Sequence, residues 1–231
     1  MILANARNTF KFYLYRWLAK RSKALVATLP QLGRSRSINV VDTIETNEFI
    51  RLSSLELCAD EINSRSIQGA IAEVGVYRGN FASAMSRAFP ERTFYLFDTF
   101  SGFVESQVQE DVKKFGLTNF RDFSATSESL VLAKMLNPDR CIIKKGIFPE
   151  TAQGITDNFA FVSLDPDLYQ PILDGLNWFW PRLVAGGYIF VHDYNNSRFP
   201  GAKQAVRDFS KTEGVSFFPL TDPFGSAVFV K

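Results

Sequence analysis

Histidine occurs once in this chain of 231 residues, cysteine twice, and an apolar run long enough to cross a membrane not at all. Each shortage excludes something. Cys58 and Cys141 lie far apart and lack metal-ligand spacing, so neither a disulfide framework nor a zinc site is expected, and the pair fits a reducing cytoplasm. A membrane span needs roughly 20 consecutive apolar residues. The formal net charge is only +2, which gives no general case for nucleic acid as a partner. Internal repeats and low-complexity stretches are missing as well. The hydrophobic share of 46% at this length supports a sizeable core, in one domain with an appendage rather than in two domains.

Acid is missing from the whole N-terminal segment. Arg7, Lys11, Arg16, Lys20, Arg21, Lys23, Arg34 and Arg36 precede the first acid, Asp42. Within this segment Phe10, Tyr13, Leu14, Trp17 and Leu18 share one helical face. Charge interrupts the apolar residues throughout, so a signal peptide is excluded. Two readings stay open for residues 1–40: a helix lying on an anionic membrane surface, or one packed on the main domain or on a second copy of the chain. Residues 41–231 are read as the main domain. Leu29 to Asn39 is the linker between them.

The three-glycine dinucleotide fingerprint is absent too. What stands in its place is IAEVGVYRGNFASAMSRAFPERTFYLFDTF, Ile71 to Phe100. It reads as strand, glycine turn framed by Gly75 and Gly79, helix from Asn80 to Ala88 stopped by Pro90, and a second strand ending on Asp98. A glycine turn after one strand and an acid closing the next describe a nucleotide pocket. Glycine lets a ligand approach the backbone, since it has no Cβ. Asp98 suits a ribose diol. Glu73, an acid at the turn itself, repels a diphosphate and suits an ammonium and a sulfonium, which favours S-adenosylmethionine over NAD.

The rest of the chain repeats the alternation. Thr46 caps a helix over Asn47 to Ser64 with Phe49, Leu52, Leu55, Leu57 and Ile62 on its packed face. Ser101 to Phe123 has no period, is partly helical from Val108 to Phe115, and reads either as a lid or as a surface excursion. A helix follows over Ser127 to Leu136, then strands over Cys141 to Ile143 and Phe159 to Leu164. Ile172 to Leu183 is a helix ended by Gly186-Gly187, and Tyr188 to Val191 is a strand. Gly201 to Phe209 is the last helix, followed by antiparallel strands over Val215 to Leu220 and Ser226 to Val230. The expected fold is a mostly parallel α/β sheet with an antiparallel C-terminal pair and helices on both faces. Ligands in such sheets bind beyond the carboxyl ends of the strands. Glu73, Asp98, Asp165, Asp167, His192 and Asp193 all fall at such ends. Asp165 and Asp193 are hard oxygen ligands for a divalent cation. His192, the only histidine, is open as ligand, general base or orienting group.

Four blocks carry a resemblance. They are AEVGVYRGNFA (Ala72 to Ala82), LFDTFSGF (Leu96 to Phe103), KKGIFPETA (Lys144 to Ala152) and SLDPDLYQPILDGLNWFWPRLVAGGYIFVHDY (Ser163 to Tyr194), the last followed by PGAKQAVRDF (Pro200 to Phe209). Together they resemble the macrocin O-methyltransferase (TylF/MycF-like) family of macrolide sugar methylation, from roughly Thr46 onward. The resemblance implies a Rossmann-like class I methyltransferase fold, S-adenosylmethionine as donor, a sugar hydroxyl as acceptor, and magnesium held by Asp165, His192 and Asp193. The macrolide enzymes carry two adjacent acids where this chain has His192-Asp193, and magnesium prefers oxygen. The expected donor site is Glu73, Gly75, Tyr77, Arg78, Asp98 and Thr99. Asp165 or His192 is expected to take the acceptor's proton. A phenolic acceptor, a nucleotide- or NAD-binding Rossmann enzyme, and a donor-binding protein without turnover are the alternatives.

Overall fold

The computed structural model describes residues 48–231 apart from Asn119. The basic segment, its linker and the Thr46 cap lie outside the described residues. In chain order the elements are α1 (Phe49–Ser64), β1 (Ala70–Val74), α2 (Asn80–Ala88), β2 (Phe94–Asp98), α3 (Glu105–Phe115), α4 (Glu128–Leu132), β3 (Cys141–Lys145), β4 (Phe159–Leu164), α5 (Tyr169–Phe179), β5 (Leu183–Val191), α6 (Pro200–Glu213), β6 (Phe218–Pro219) and β7 (Ala227–Val230). The seven strands lie in the order β3-β2-β1-β4-β5-β7-β6. β1 to β5 are parallel, and β7 runs antiparallel to both neighbours.

Residue choice explains the layering. Every residue of β1 and of β4 is buried, as expected of central strands covered on both faces. Along β2 the side chains alternate between two cores: Phe94 and Leu96 join the cluster under α1 and α2, Tyr95 and Phe97 the one under α5 and α6. A bulge between Phe159 and Phe161 sends those two rings to opposite faces. Each fully buried phenylalanine stabilises by about 1.5–3 kcal/mol, and Phe94, Phe97, Phe159, Phe161, Phe179, Phe190, Phe209 and Phe229 are in that state. At one edge the sheet ends in the two-residue β6, whose Pro219 lacks an N–H and blunts further pairing.

Several element boundaries differ from those expected. The strand expected over Tyr188 to Val191 begins at Leu183, and Gly186-Gly187 lies inside it. Gly186 has φ +81°, a conformation that makes a bulge and not a stop. The preceding helix begins at Tyr169 and ends at Phe179, before Pro181. α4 is one short turn, capped by Ser127 Oγ accepting from Leu130 N–H at 3.2 Å. Leu57 is 49% exposed on α1 and not part of its packed face. The aperiodic segment contains a full helix, α3, tied to the body where Asp111 Oδ2 accepts the Tyr169 N–H at 3.2 Å.

Candidate active site

The strand order reverses between β1 and β4, where such sheets open a crevice at their carboxyl edge. Backbone pairing continues past the strand ends there. Gly75 N–H donates to the Phe97 carbonyl at 2.9 Å, Asp165 N–H to Val74 at 2.8 Å, and His192 N–H to Leu164 at 2.9 Å. Gly75, Asp165 and His192 are thus laid side by side. Four of the five described non-glycine residues with left-handed φ, Tyr77 (49°), Phe100 (54°), Asp167 (63°) and Asp193 (58°), stand at this same edge. Such strain collects where ligands are handled.

A cavity of about 330 Å³ fills the crevice and is lined by all nine residues expected at the site. At the β1–β2 end, Glu73 is 1% exposed, and burial is the main cause that drives its carboxyl well above the usual range, with Arg51 pulling the other way. Its Oε1 accepts from Ser163 Oγ at 3.4 Å, and Oε2 has no hydrogen bond among the described residues. Asp98 accepts two backbone N–H groups, Tyr77 on Oδ2 at 2.7 Å and Phe100 on Oδ1 at 2.6 Å. Each oxygen keeps a lone pair for a diol. Thr99 Oγ1 donates to the Gly102 carbonyl at 2.6 Å. Thr126 Oγ1 donates to the Tyr77 carbonyl, and Lys134 Nζ to that of Arg78 at 2.7 Å.

The reason for glycine at 75 differs from the one expected. With φ +83°, a Cβ there would overlap the Asp165 carbonyl and lie 2.8 Å from Pro166 N. The backbone that comes close is the chain's own. It presses the Gly75 turn directly against the acid-bearing tip of β4. The segment expected as lid or excursion supplies wall residues, among them Phe103, Gln107 and Phe123. Tyr77 and Phe123 meet edge to face at 5.0 Å.

At the β4–β5 end, side chains bind one another. Arg51 of α1, 3% exposed, donates to Asp165 Oδ2 and to Ser163 Oγ, both at 3.1 Å, with its guanidinium 3.8 Å from the Phe81 ring centre. His192 Nδ1 lies 2.9 Å from Asp165 Oδ1 and 3.2 Å from Asp193 Oδ2. Burial would raise the Asp165 carboxyl, but His192 and Arg51 outweigh it and hold it well below the carboxylate range. Burial and Arg51 would lower His192. Asp165 and Asp193 overcome both and bring it up to about 10. Asp167 goes the other way: burial first, then its hydrogen bond to Asp193, push it well above the usual value.

Asp165, His192 and Asp193 converge as expected, with one ligand atom from each within 4.8 Å of the others. A divalent cation fits them on one observation: neither nitrogen of the buried His192 ring makes a hydrogen bond among the described residues, although carboxylate oxygens stand within 3.2 Å of Nδ1. Arg51 was not anticipated. Its signal was an arginine four residues before Leu55, on the face that packs. Asp167 was seen as a strand-end acid without a role, and its coupling to Asp193 joins two strands.

Comparison with known proteins identifies a family. Residues 43–230 match the model of the family described as macrocin-O-methyltransferase (TylF). The chain is 28% identical over 191 residues to the 8-demethyl-8-(2,3-dimethoxy-alpha-L-rhamnosyl)-tetracenomycin-C 4'-O-methyltransferase of Streptomyces olivaceus, covering 78% of this chain and 72% of that one. It is 25% identical over 180 residues to the mycinamicin III 3''-O-methyltransferase of Micromonospora griseorubida, covering 72% and 70%. Among solved structures, the calicheamicin methyltransferase CalS11 shares the fold with a TM-score of 0.65 at 20% identity, covering 94% of this chain and 90% of that chain.

Proposed function

The chain belongs to the macrocin-O-methyltransferase (TylF) family and is an S-adenosylmethionine-dependent O-methyltransferase, and from that premise we propose that it methylates a hydroxyl of a sugar carried by a glycan or a glycosylated natural product. The observation that carries this reading is the shared cavity: the donor turn at Gly75 abuts the carbonyl of Asp165. A donor held at one end and a hydroxyl held at the other meet without crossing solvent.

In this reading the donor lies over Gly75, with its ammonium near Glu73, its ribose hydroxyls on Asp98, and Tyr77, Arg78 and Thr99 around it. The acceptor oxygen attacks the methyl carbon in line, the carbon–sulfur bond breaks, and the products are the methyl ether and S-adenosylhomocysteine. The hydroxyl proton must leave. Both Asp165 oxygens are engaged, by Arg51 and by His192, and the His192 ring stands between two acids as a ligand of the proposed cation. We therefore assign the proton to Asp167, whose proton affinity burial and Asp193 have raised. Asp165, His192 and Asp193 would hold a divalent cation. Bound there, it would lower the pKa of the acceptor hydroxyl and orient it.

The named relatives act on a rhamnosyl-tetracenomycin and on a mycinamicin, which supports a sugar over a phenol. Labelled S-adenosylmethionine offered with rhamnosylated acceptors and with catechols separates the two. A methyl group on the sugar is expected. Methylation of the catechol alone would overturn the choice of acceptor. We place the protein in the cytoplasm on its thiol content. No described helix is long and apolar enough to cross a membrane. Residues 1–40, ahead of the family match, are assigned to a membrane surface or to packing against protein. Flotation with anionic vesicles, with and without that segment, decides between them.

A further inference from the structure

We propose that Asp165, His192 and Asp193 select a nitrogen-accepting first-row transition-metal dication over magnesium. The proposal rests on the methyltransferase reading for the ion's purpose, and on the following geometry for its identity. Three ligand atoms face one another: Asp165 Oδ1, His192 Nδ1 and Asp193 Oδ2. The two nitrogen–oxygen separations are 2.9 and 3.2 Å. Adjacent ligands around an ion with bonds of about 2.1 Å stand about 3.0 Å apart. The nitrogen is over nine-tenths buried and has no hydrogen bond among the described residues.

The surroundings turn the correct atoms inward. Asp165 Oδ2 is taken by Arg51, and Asp193 Oδ1 accepts from Asn196 Nδ2 at 2.7 Å. Each acid is left with the oxygen that faces His192. On the far side of the ring, Nε2 lies 3.9 Å from Glu48 Oε2. Once a cation displaces the proton that the two acids draw to Nδ1, that carboxylate would keep the remaining ring proton on Nε2. One imidazole with two carboxylates is a donor set for manganese, iron, cobalt or zinc. Magnesium, which demands oxygen, loses a ligand there.

The test uses the full chain, stripped of metal and saturated with S-adenosylmethionine. Mn(II) is added and pulsed electron paramagnetic resonance is recorded. One Mn(II) per chain is expected, with modulation from one imidazole nitrogen. Mg(II) should displace it only in about 100-fold or greater excess. His192→Asp should abolish the nitrogen signal and move the preference toward Mg(II) by about tenfold or more. His192→Gln serves if that variant fails to fold. Bound Mn(II) without a nitrogen signal, displacement by Mg(II) at parity, or no Mn(II) binding at all would each overturn the proposal. Donor titration of the metal-free chain keeps the two readings apart. Loss of donor binding defeats the methyltransferase reading. Donor binding without the nitrogen signal defeats only this one.

Discussion

At the β1–β2 end of the cavity Asp98 and Thr99 are tied to the main chain, and at the β4–β5 end the polar side chains are tied to one another. Asp98 is held by two backbone N–H groups, and Gly75 by its own N–H on the Phe97 carbonyl. Neither can shift unless a strand shifts. Asp165, by contrast, is held by Arg51 and His192, and Asp193 by His192 and Asp167. The first arrangement is a fixed shape that suits a donor whose structure never varies. The second is a charge balance between acids and bases, which an incoming cation or proton redistributes. In the proposed function the first end recognises the donor and the second carries the chemistry.

The sharpest way to break this comparison is to remove a charge from the second end. Arg51→Met leaves Asp165 and Glu73 buried without their cation and should cost about 3–5 kcal/mol of stability, read by urea unfolding. Adding Asp165→Asn should recover part of that loss. At the first end, Gly75→Ala forces a Cβ into the Asp165 carbonyl. It should cost about 3 kcal/mol and abolish donor binding by calorimetry. Asp98→Asn keeps the shape but turns an amide donor toward a backbone N–H. About tenfold weaker donor binding is expected, with metal binding unchanged.

The smallest effect lies outside both ends. Burial brings Asp111 up to about 6. A carboxyl whose folded pKa is raised contributes stability that is present below its unfolded pKa near 3.8 and is lost as pH rises through about 6. Asp111→Asn can still accept the Tyr169 N–H. Its melting temperature should match the wild type at pH 4 and exceed it by a few degrees above pH 7, as scanning calorimetry would show.

Burial decides what could be read in advance. β1, β2 and β4 are buried on both faces almost to their ends, so they stand out as apolar runs. β4 was legible residue by residue, and β2 nearly so. β5 was cut short because Gly186-Gly187 has the composition of a helix stop. Only pairing with β4 and β7 shows it to be a bulge. Arg51 stayed hidden for a different reason. A single arginine on a helix ordinarily faces water, and nothing local reports that Asp165, over a hundred positions away, will neutralise it. Asp167 was visible as an acid, but its raised proton affinity comes from burial and from Asp193, which follows another strand. Groups fixed by the backbone leave a local pattern, whereas groups fixed by each other do not.

The claim that one end recognises and the other reacts is tested most directly by a single variant measured twice. S-adenosylmethionine is titrated into Asp167→Asn, and methyl transfer is followed on the same preparation. Donor affinity should stay within about twofold of wild type, while turnover falls by about 100-fold or more. Undiminished turnover, or a loss of donor affinity equal to the loss of turnover, would contradict it.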